Sequence, residues 1–404
     1  MNIGFDGSRA FSKNRTGTEN YSYQLLKHLA KLDHTNNYYI YLTPKPYTLY
    51  PKDWPGNFKF ITIPFSRLWT QVGLAKQTFK DTHLDVLFIP SHTLPLIKRP
   101  GLKTVVTVHD LGAEYLPKTH QLKQRVYLKL MTDYQLKTVT RLIAVSKATK
   151  EDLVRRINID PKKIDVIYEG YDKSAFKPLK TDEFKDTLKY YDIESNKYFL
   201  FVGTIQPRKN LVRLISAYSI FLNTPSSATD RKVSSMKYLV YSEKQESLDT
   251  KYKIQNTYPK LVLAGSKGWM SDEIYELPKK LGIEDQVKFL GYVPDENLPS
   301  LYNGAIAFLY PSLFEGFGLP ILEAMACGCP VLTSNVSSMP EVAGSSAVYV
   351  NPYSEDKIAQ SISKLFNDKK SRDKLKTDGI AQSNNFSWEK CAKETLSTLL
   401  SVGK

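Results

Sequence analysis

Short runs of β-branched and aromatic residues alternate with amphipathic helical stretches along nearly the whole chain, and the alternation begins twice. In the first half the runs are Ile3–Asp6, Tyr38–Leu42, Phe58–Ile63, Val86–Ile89, Thr104–His109, Arg141–Val145 and Ile164–Ile167. The pattern restarts at Tyr198–Val202 and continues with Lys260–Ala264, Val287–Leu290, Ile306–Tyr310, Pro330–Thr333 and Ala347–Val350. Strands separated by helices predict parallel sheets with helices on their faces. Two such series in 404 residues predict two sheets, because that length exceeds what one hydrophobic core organises.

Turn residues in Glu169-Gly170-Tyr171-Asp172, then Phe176-Lys177-Pro178, mark the join. They set a first domain at 1–178 and a second at 179–385. A terminal helix at 386–404, carrying Phe386, Trp388, Leu396 and Leu399, is expected to pack across the domain junction. Asn223–Tyr258, rich in Ser, Lys, Thr and Glu, reads as a surface insertion where a short loop would normally suffice.

Ligands of parallel sheets collect beyond the carboxyl ends of the strands, so the residues after each predicted strand carry the chemistry. Ile306–Tyr310 is followed by Ser312-Leu-Phe-Glu-Gly-Phe-Gly-Leu-Pro-Ile-Leu-Glu, a loop that opens a helix near Leu319. Gly316 and Gly318 let the backbone approach a ligand, and the new helix aims free N–H groups at the same spot. Glu315 in the loop and Glu323 one turn into the helix can face one cleft at different depths. Ionised carboxylates accept from paired hydroxyls, each charged hydrogen bond contributing about 1.5–3 kcal/mol. A dehydrogenase fingerprint fails here, because its third glycine would fall at Ile321. A glycosidase acid and nucleophile pair has no support either, since nothing in the sequence separates the two carboxyls in pKa.

Phe201-Val-Gly-Thr-Ile-Gln-Pro-Arg-Lys-Asn-Leu reads as a strand, a turn at Gly203 and a helix beginning around Asn210. Arg208 and Lys209 just before that helix make a diphosphate clamp, Arg as a fork and Lys as a point charge. Such a clamp works without a metal, and the sequence offers no Asp-x-Asp site for one: Asp192, Asp285 and Asp295 stand singly. In the first half, Arg15-Thr-Gly-Thr-Glu-Asn places Gly17 at the start of the first helix. Val108-His-Asp-Leu places His109 at a strand end, within reach of a sugar hydroxyl or phosphate.

Charge is distributed unevenly. Residues 1–180 contain 29 Lys and Arg against 15 Asp and Glu, and residues 181–404 contain 27 against 26. Nearly all of the net +15 therefore sits in the first half, which points to an anionic partner. No nucleic-acid motif accompanies it, so nucleic acid is not expected. The basic stretch Arg67–Lys80, with Trp69 and Phe79, reads as an amphipathic helix that, with Lys98, Arg99 and Lys103, would touch an anionic membrane surface. The three cysteines, Cys327, Cys329 and Cys391, cannot build a disulfide framework. The amino-terminal residues lack a signal-peptide pattern and no apolar run could span a bilayer. The expectation is a cytoplasmic protein, peripheral at the inner face of the membrane.

Taken together, these segments resemble family 4 of the retaining glycosyltransferases. The resemblance runs through Thr16-Gly17, His109-Asp110-Leu111, Val145-Ser146-Lys147, Glu169-Gly170-Tyr171-Asp172, Gly203 with Pro207-Arg208-Lys209-Asn210, Leu261–Gly265, Phe289–Val293, and Glu315 with Glu323. It implies the GT-B fold, an α/β architecture of two facing Rossmann-like domains with parallel sheets and a C-terminal helix crossing the junction. The implied activity is metal-independent hexosyl transfer from a nucleotide-sugar cosubstrate, with no other cofactor, to a glycan or lipid-linked acceptor. By position, Arg208 and Lys209 would hold the donor diphosphate, Glu323 the ribose, and Glu315 the transferred sugar. The amides of Phe317, Gly318 and Leu319 would add contacts to phosphate or sugar, and the loop around Val293 would hold the base. Gly17 would lie beside the diphosphate and His109 beside the sugar. One departure is that Gly17 is followed by Thr18, where many relatives have a second glycine. The stretches His109–Pro117 and Gly203–Leu211 look most like GDP-mannose-dependent mannosyltransferases of surface polysaccharide synthesis, with UDP-sugar-dependent transfer as the alternative. A glycan phosphorylase would need a pyridoxal-phosphate lysine, and a non-catalytic nucleotide-sugar sensor would have no reason to keep every donor residue.

Overall fold

A computed structural model of the chain describes residues 1–12, 15, 17–44, 53–65, 67–91, 94–111, 134–224 and 258–403. The central part of the expected insertion, 225–257, lies outside the described residues. The chain divides into two compact units, Met1–Tyr171 with Phe386–Lys404, and Asp172–Asn385. The division falls at Tyr171 where the sequence suggested 178, and the terminal helix belongs to the first unit.

The first unit holds a sheet of seven parallel strands: β1 (Asn2–Asp6), β2 (Asn37–Leu42), β3 (Phe58–Thr62), β4 (Val86–Ile89), β5 (Lys103–Val108), β6 (Arg141–Ala144) and β7 (Ile164–Val166). Their order is β3-β2-β1-β4-β5-β6-β7. The order reverses between β1 and β4, the switch point beside which parallel sheets hold ligands. Val86-Leu-Phe-Ile is buried at every position, as a strand covered on both faces must be. Among the described residues, the α-helices between these strands are α1 (Gly17–Leu32), α2 (Ala75–Lys80) and α3 (Lys147–Ile157). Ser146 caps α3 by accepting from the amide of Thr149 at 3.0 Å, which satisfies one of the orphan donors of the first turn.

The terminal helix, Trp388–Gly403, buries Trp388, Cys391, Ala392, Thr395 and Leu399 against α1 and the central strands β4–β6. Tyr21 of α1 meets Trp388 edge-on, with ring centroids 5.8 Å apart. Thr398 donates to Asp165 of β7 at 3.0 Å, and Asp165 also pairs with Arg141 of β6 at 2.7 Å. Gly170 is needed at the start of this packing, since a Cβ there would stand 2.0 Å from the Trp388 nitrogen.

The segment expected to be one amphipathic helix is instead a π-helical stretch, Trp69–Leu74, running into α2. Trp69 faces inward, 7% exposed among core residues that include Leu74 and Leu87, so it is not on a surface face as the sequence suggested. Arg99 also turns inward, donating to the carbonyls of Thr82 and Leu84 at 3.0 and 2.5 Å.

The second unit opens with α4 (Thr181–Tyr190) and continues β8 (Tyr198–Val202), α5 (Leu211–Asn223), β9 (Lys260–Ala264), α6 (Asp272–Lys280), β10 (Val287–Gly291), α7 (Leu298–Gly304), β11 (Ala307–Tyr310), α8 (Leu319–Ala326), β12 (Val331–Ser334), α9 (Met339–Ala343), β13 (Ala347–Val350), α10 (Glu355–Asn367) and α11 (Lys369–Ser383). Its six strands are parallel in the order β10-β9-β8-β11-β12-β13. Here the switch point lies between β8 and β11. The loops that leave those two strands are the two that carry Arg208–Lys209 and Glu315–Leu319.

Candidate active site

The loop after β8 passes Gly203, at φ +146°, and closes into a 3-10 turn at Pro207–Lys209 before α5 begins. Asn210, left-handed at φ +62°, donates from its side-chain amide to the carbonyls of Pro311 at 3.0 Å and Pro352 at 2.7 Å. The backbone amide of Leu313 donates to the Arg208 carbonyl at 3.0 Å. These bonds lash the loop after β8 to the loop after β11, so the two cations and the glutamate are held on one frame.

Lys209 is 6% exposed, and its ammonium donates to Glu315 Oε1 at 2.7 Å and to the hydroxyl of Tyr310. Arg208 Nη1 lies 3.8 Å from the other oxygen, Glu315 Oε2. Burial by itself would raise the Glu315 carboxyl, but the charges of Lys209 and Arg208 outweigh it and hold the group below the usual glutamate range. The carboxylate is thus ionised in a buried site, with both of its oxygens beside cations.

A row of serines after β12 fixes the loop that carries Glu315. Ser337 and Ser338 donate to the Glu315 carbonyl at 2.6 and 3.0 Å, and Ser338 also donates to the Phe317 carbonyl at 2.7 Å. Gly316 continues this loop, Phe317 is buried at 4% exposure, and Gly318 caps α8 at φ +110°, a conformation that a side chain would strain. Leu319 opens α8, and Glu323 is half-buried one turn on, accepting from the Tyr302 hydroxyl at 3.2 Å. Burial raises the Glu323 carboxyl to about 7, the Tyr302 hydrogen bond opposing and the charge of Asp295 adding. Val293, in the loop after β10, is buried.

Within the second unit the structure therefore brings Arg208, Lys209, Gly203 and Glu315–Glu323 to the carboxyl edge of one sheet. Sequence reasoning missed Tyr310, Tyr302 and the serine row, and quoted Asn210 only as part of a motif, without a role. Only the serines left a trace, as Ser334-Asn-Val-Ser337-Ser338 directly after a predicted strand. A cavity of about 660 Å³ lies at the opposite edge, where Tyr198 and Lys260 begin their strands, and contains none of these residues. Among the described residues, no group of three or more His, Cys, Asp or Glu is placed to hold a metal ion.

In the first unit Gly17 opens α1, exposed and with open space where a Cβ would stand. His109 follows β5 and is 9% exposed. Its Nδ1 lies 3.0 Å from Glu169 Oε1, and its Nε2–H donates to the Pro90 carbonyl at 2.9 Å. Burial by itself would lower the imidazole, but Glu169, the Pro90 carbonyl and Asp110 outweigh it, and the ring holds its proton above its ordinary range. Both ring nitrogens are occupied inside the fold. A sugar hydroxyl, the partner suggested by the sequence, would have to displace one of these bonds to reach them.

Known proteins match this picture along the chain. Residues 15–175 match the sequence model described as Glycosyltransferase Family 4, and residues 186–382 that of Glycosyl transferases group 1. O-antigen chain mannosyltransferase B of Escherichia coli is 32% identical over 294 residues, 73% of this chain and 69% of that protein. O-antigen chain mannosyltransferase RfbU of Salmonella typhimurium is 28% identical over 295 residues, 73% of this chain and 66% of that protein. In fold, the chain resembles sucrose-phosphate synthase from Thermosynechococcus elongatus, with a TM-score of 0.72 at 19% identity over 99% of this chain and 98% of that one. With two parallel sheets, a fixed cation–glutamate cluster at the switch point and both halves matched in order, the chain belongs to glycosyltransferase family 4, on the GT-B fold.

Proposed function

We propose that this glycosyltransferase moves mannose from GDP-mannose onto a glycan or lipid-linked acceptor, with retention of configuration and without a metal. The observation that carries the reading is the cluster of Lys209, Arg208 and Glu315 at the start of α5. Departure of a nucleoside diphosphate builds negative charge on phosphate, and cations already fixed there lower the barrier without reorganisation. Glu323 at the start of α8 is suited to the ribose hydroxyls, and Glu315 to the sugar. The acceptor hydroxyl would attack from the leaving-group face, with a phosphate oxygen taking its proton, so no side-chain nucleophile is needed. The choice of mannose is supported by the names of the two bacterial relatives and by the resemblance of the loops after β5 and β8.

The acceptor is proposed to be presented at an anionic membrane. No described helix is long and apolar enough to cross one, and the contact proposed is superficial. Leu68 and Ile97 are 70% and 69% exposed. Hydrogen bonds from Gln71 to Leu94 and from the Arg99 amide to Thr78 hold their segments side by side. Arg67, Lys76, Phe79 and Lys80 are exposed around them, which suits apolar insertion flanked by lysine.

Thermal-shift measurement with GDP, UDP, ADP and their sugar conjugates, with and without EDTA, tests the donor. Ligand that binds only the folded chain raises the melting temperature by mass action. An EDTA-insensitive rise selective for GDP and GDP-mannose is expected. A rise with UDP sugars overturns the donor, one abolished by EDTA overturns metal independence, and no response overturns the site.

A further inference from the structure

His109 sits where the first sheet should meet a ligand, yet its polar atoms point into the fold. The Pro90 carbonyl can only accept, so Nε2 carries a proton, and a carboxylate opposite Nδ1 favours a second proton there. Pro90 directly follows β4, and Glu169 follows β7 by three residues. In the sheet β4 and β7 are separated by β5 and β6, so one imidazole spans four strand ends. The backbone is fixed as well, because Thr149 of α3 donates to the His109 carbonyl at 3.2 Å. Glu169 is 4% exposed and is followed by Gly170, pressed against the Trp388 backbone. Tyr21 meets the imidazole edge-on, with centroids 4.6 Å apart and planes at 87°.

We propose that Glu169 is a positioning residue: it holds His109 as an imidazolium whose two N–H groups brace the ends of β4 and β7. The braced edge, and not a free ring nitrogen, is then what His109 contributes to transfer; that consequence, unlike the protonation itself, rests on the transferase reading. Among the described residues, the other titratable groups that act on this pair are Tyr21 of α1, Cys391 of the terminal helix and Asp110 beside His109. Burial pushes the Tyr21 hydroxyl and the Cys391 thiol up, so both stay neutral.

The test is nitrogen NMR of the histidine-labelled full chain, with the His109 signals assigned by their loss in His109→Gln. Both ring nitrogens should report N–H at about pH 7.5, above the ordinary titration of histidine. One bare nitrogen at that pH overturns the proposal. In Glu169→Gln the ring should lose its proton at least about one pH unit lower. The transfer rate of that variant should then fall more at alkaline pH than at acid pH, where the imidazolium is regained. An unchanged titration or an unchanged pH profile overturns it. If Glu169→Gln gives no cooperative melting transition, the wild-type spectrum decides alone. The spectra need no sugar donor, so a failed donor reading and a failed brace give different results.

Discussion

Lys209 Nζ lies 2.7 Å from Glu315 Oε1, and both side chains are more than nine-tenths buried. Arg208 stands at 3.8 Å from the second carboxylate oxygen, on the more open side. The pair is separated by 106 residues in sequence and joined by the bonds that lash the loop after β8 to the loop after β11. On the proposed placement, a donor diphosphate arriving at this point would compete with Glu315 for two cations that already have a counter-charge.

Removing one partner of such a pair strands the other. Lys209→Met should destabilise the protein, by up to about 3–5 kcal/mol, because Glu315 is left buried with only Arg208, at 3.8 Å, to compensate its charge. Adding Glu315→Gln should recover much of that stability and none of the transfer activity. Denaturant melts of the single and double variants, beside a transfer assay, check both halves. Additive losses in stability would mean the two residues do not form a coupled pair.

Glu323 gives a pH dependence of definite sign. Its carboxyl titrates at about 7 in the folded, ligand-free protein, and only the carboxylate accepts from two ribose hydroxyls. Nucleotide affinity should therefore climb as pH rises through about 7 and flatten above it, falling by up to about tenfold per pH unit below. Folding has the opposite sign. The folded pKa exceeds the unfolded one, so the Glu323 contribution to stability is present below the unfolded value and is lost as pH rises through about 7. Calorimetric titration with nucleotide across that range measures the first effect, and Glu323→Gln should flatten it. A flat wild-type profile would remove Glu323 from the ribose site.

The exposed pair Leu68 and Ile97 would make the proposed membrane contact separable from catalysis. Leu68→Asp with Ile97→Asp should abolish sedimentation with anionic liposomes at low salt while leaving nucleotide-induced thermal shifts unchanged. Equal sedimentation of the wild-type protein with neutral and anionic liposomes would rule the surface out.

Truncation after Asn385 removes Trp388, Cys391 and Leu399 from the first unit's core. Each large buried side chain lost costs roughly 2–5 kcal/mol, so together they remove about as much as the roughly 5–15 kcal/mol that holds a domain folded. Limited proteolysis of the truncated chain should degrade the first unit and leave Asp172–Asn385 protected. Equal protection of both units would mean that the terminal helix is dispensable.

All thirteen described strands fall on runs visible in the sequence, with ends shifted by a residue or so, as Ile306–Tyr310 against β11 shows. The reason is burial: strands covered on both faces leave continuous apolar runs such as Tyr198–Val202. The donor-side cluster was legible because its glycines and charges sit immediately after those runs. The partners of those charges were not. Tyr310 reads as the last residue of a strand, and Glu169 as part of a turn. Nothing local says that the first holds Lys209 or that the second holds His109, since each pairing depends on strand order. Trp69 misled for a related reason: a basic stretch with two aromatics fits an amphipathic helix, but a π-helical turn changes which side chain faces inward.

The first unit is closed by residues that the ribosome delivers only after the whole of the second. Its sheet is complete by Val166, yet the helix that covers β4–β6 begins at Trp388. During synthesis Asp172–Asn385 has all of its own strands and helices in hand before the first unit can bury Tyr21 against Trp388. Assembly therefore runs against the usual amino-to-carboxyl order. Until Trp388–Gly403 has been made, the nascent first half presents an unfinished apolar face, and a chain stalled before that point would be a substrate for chaperones and proteases.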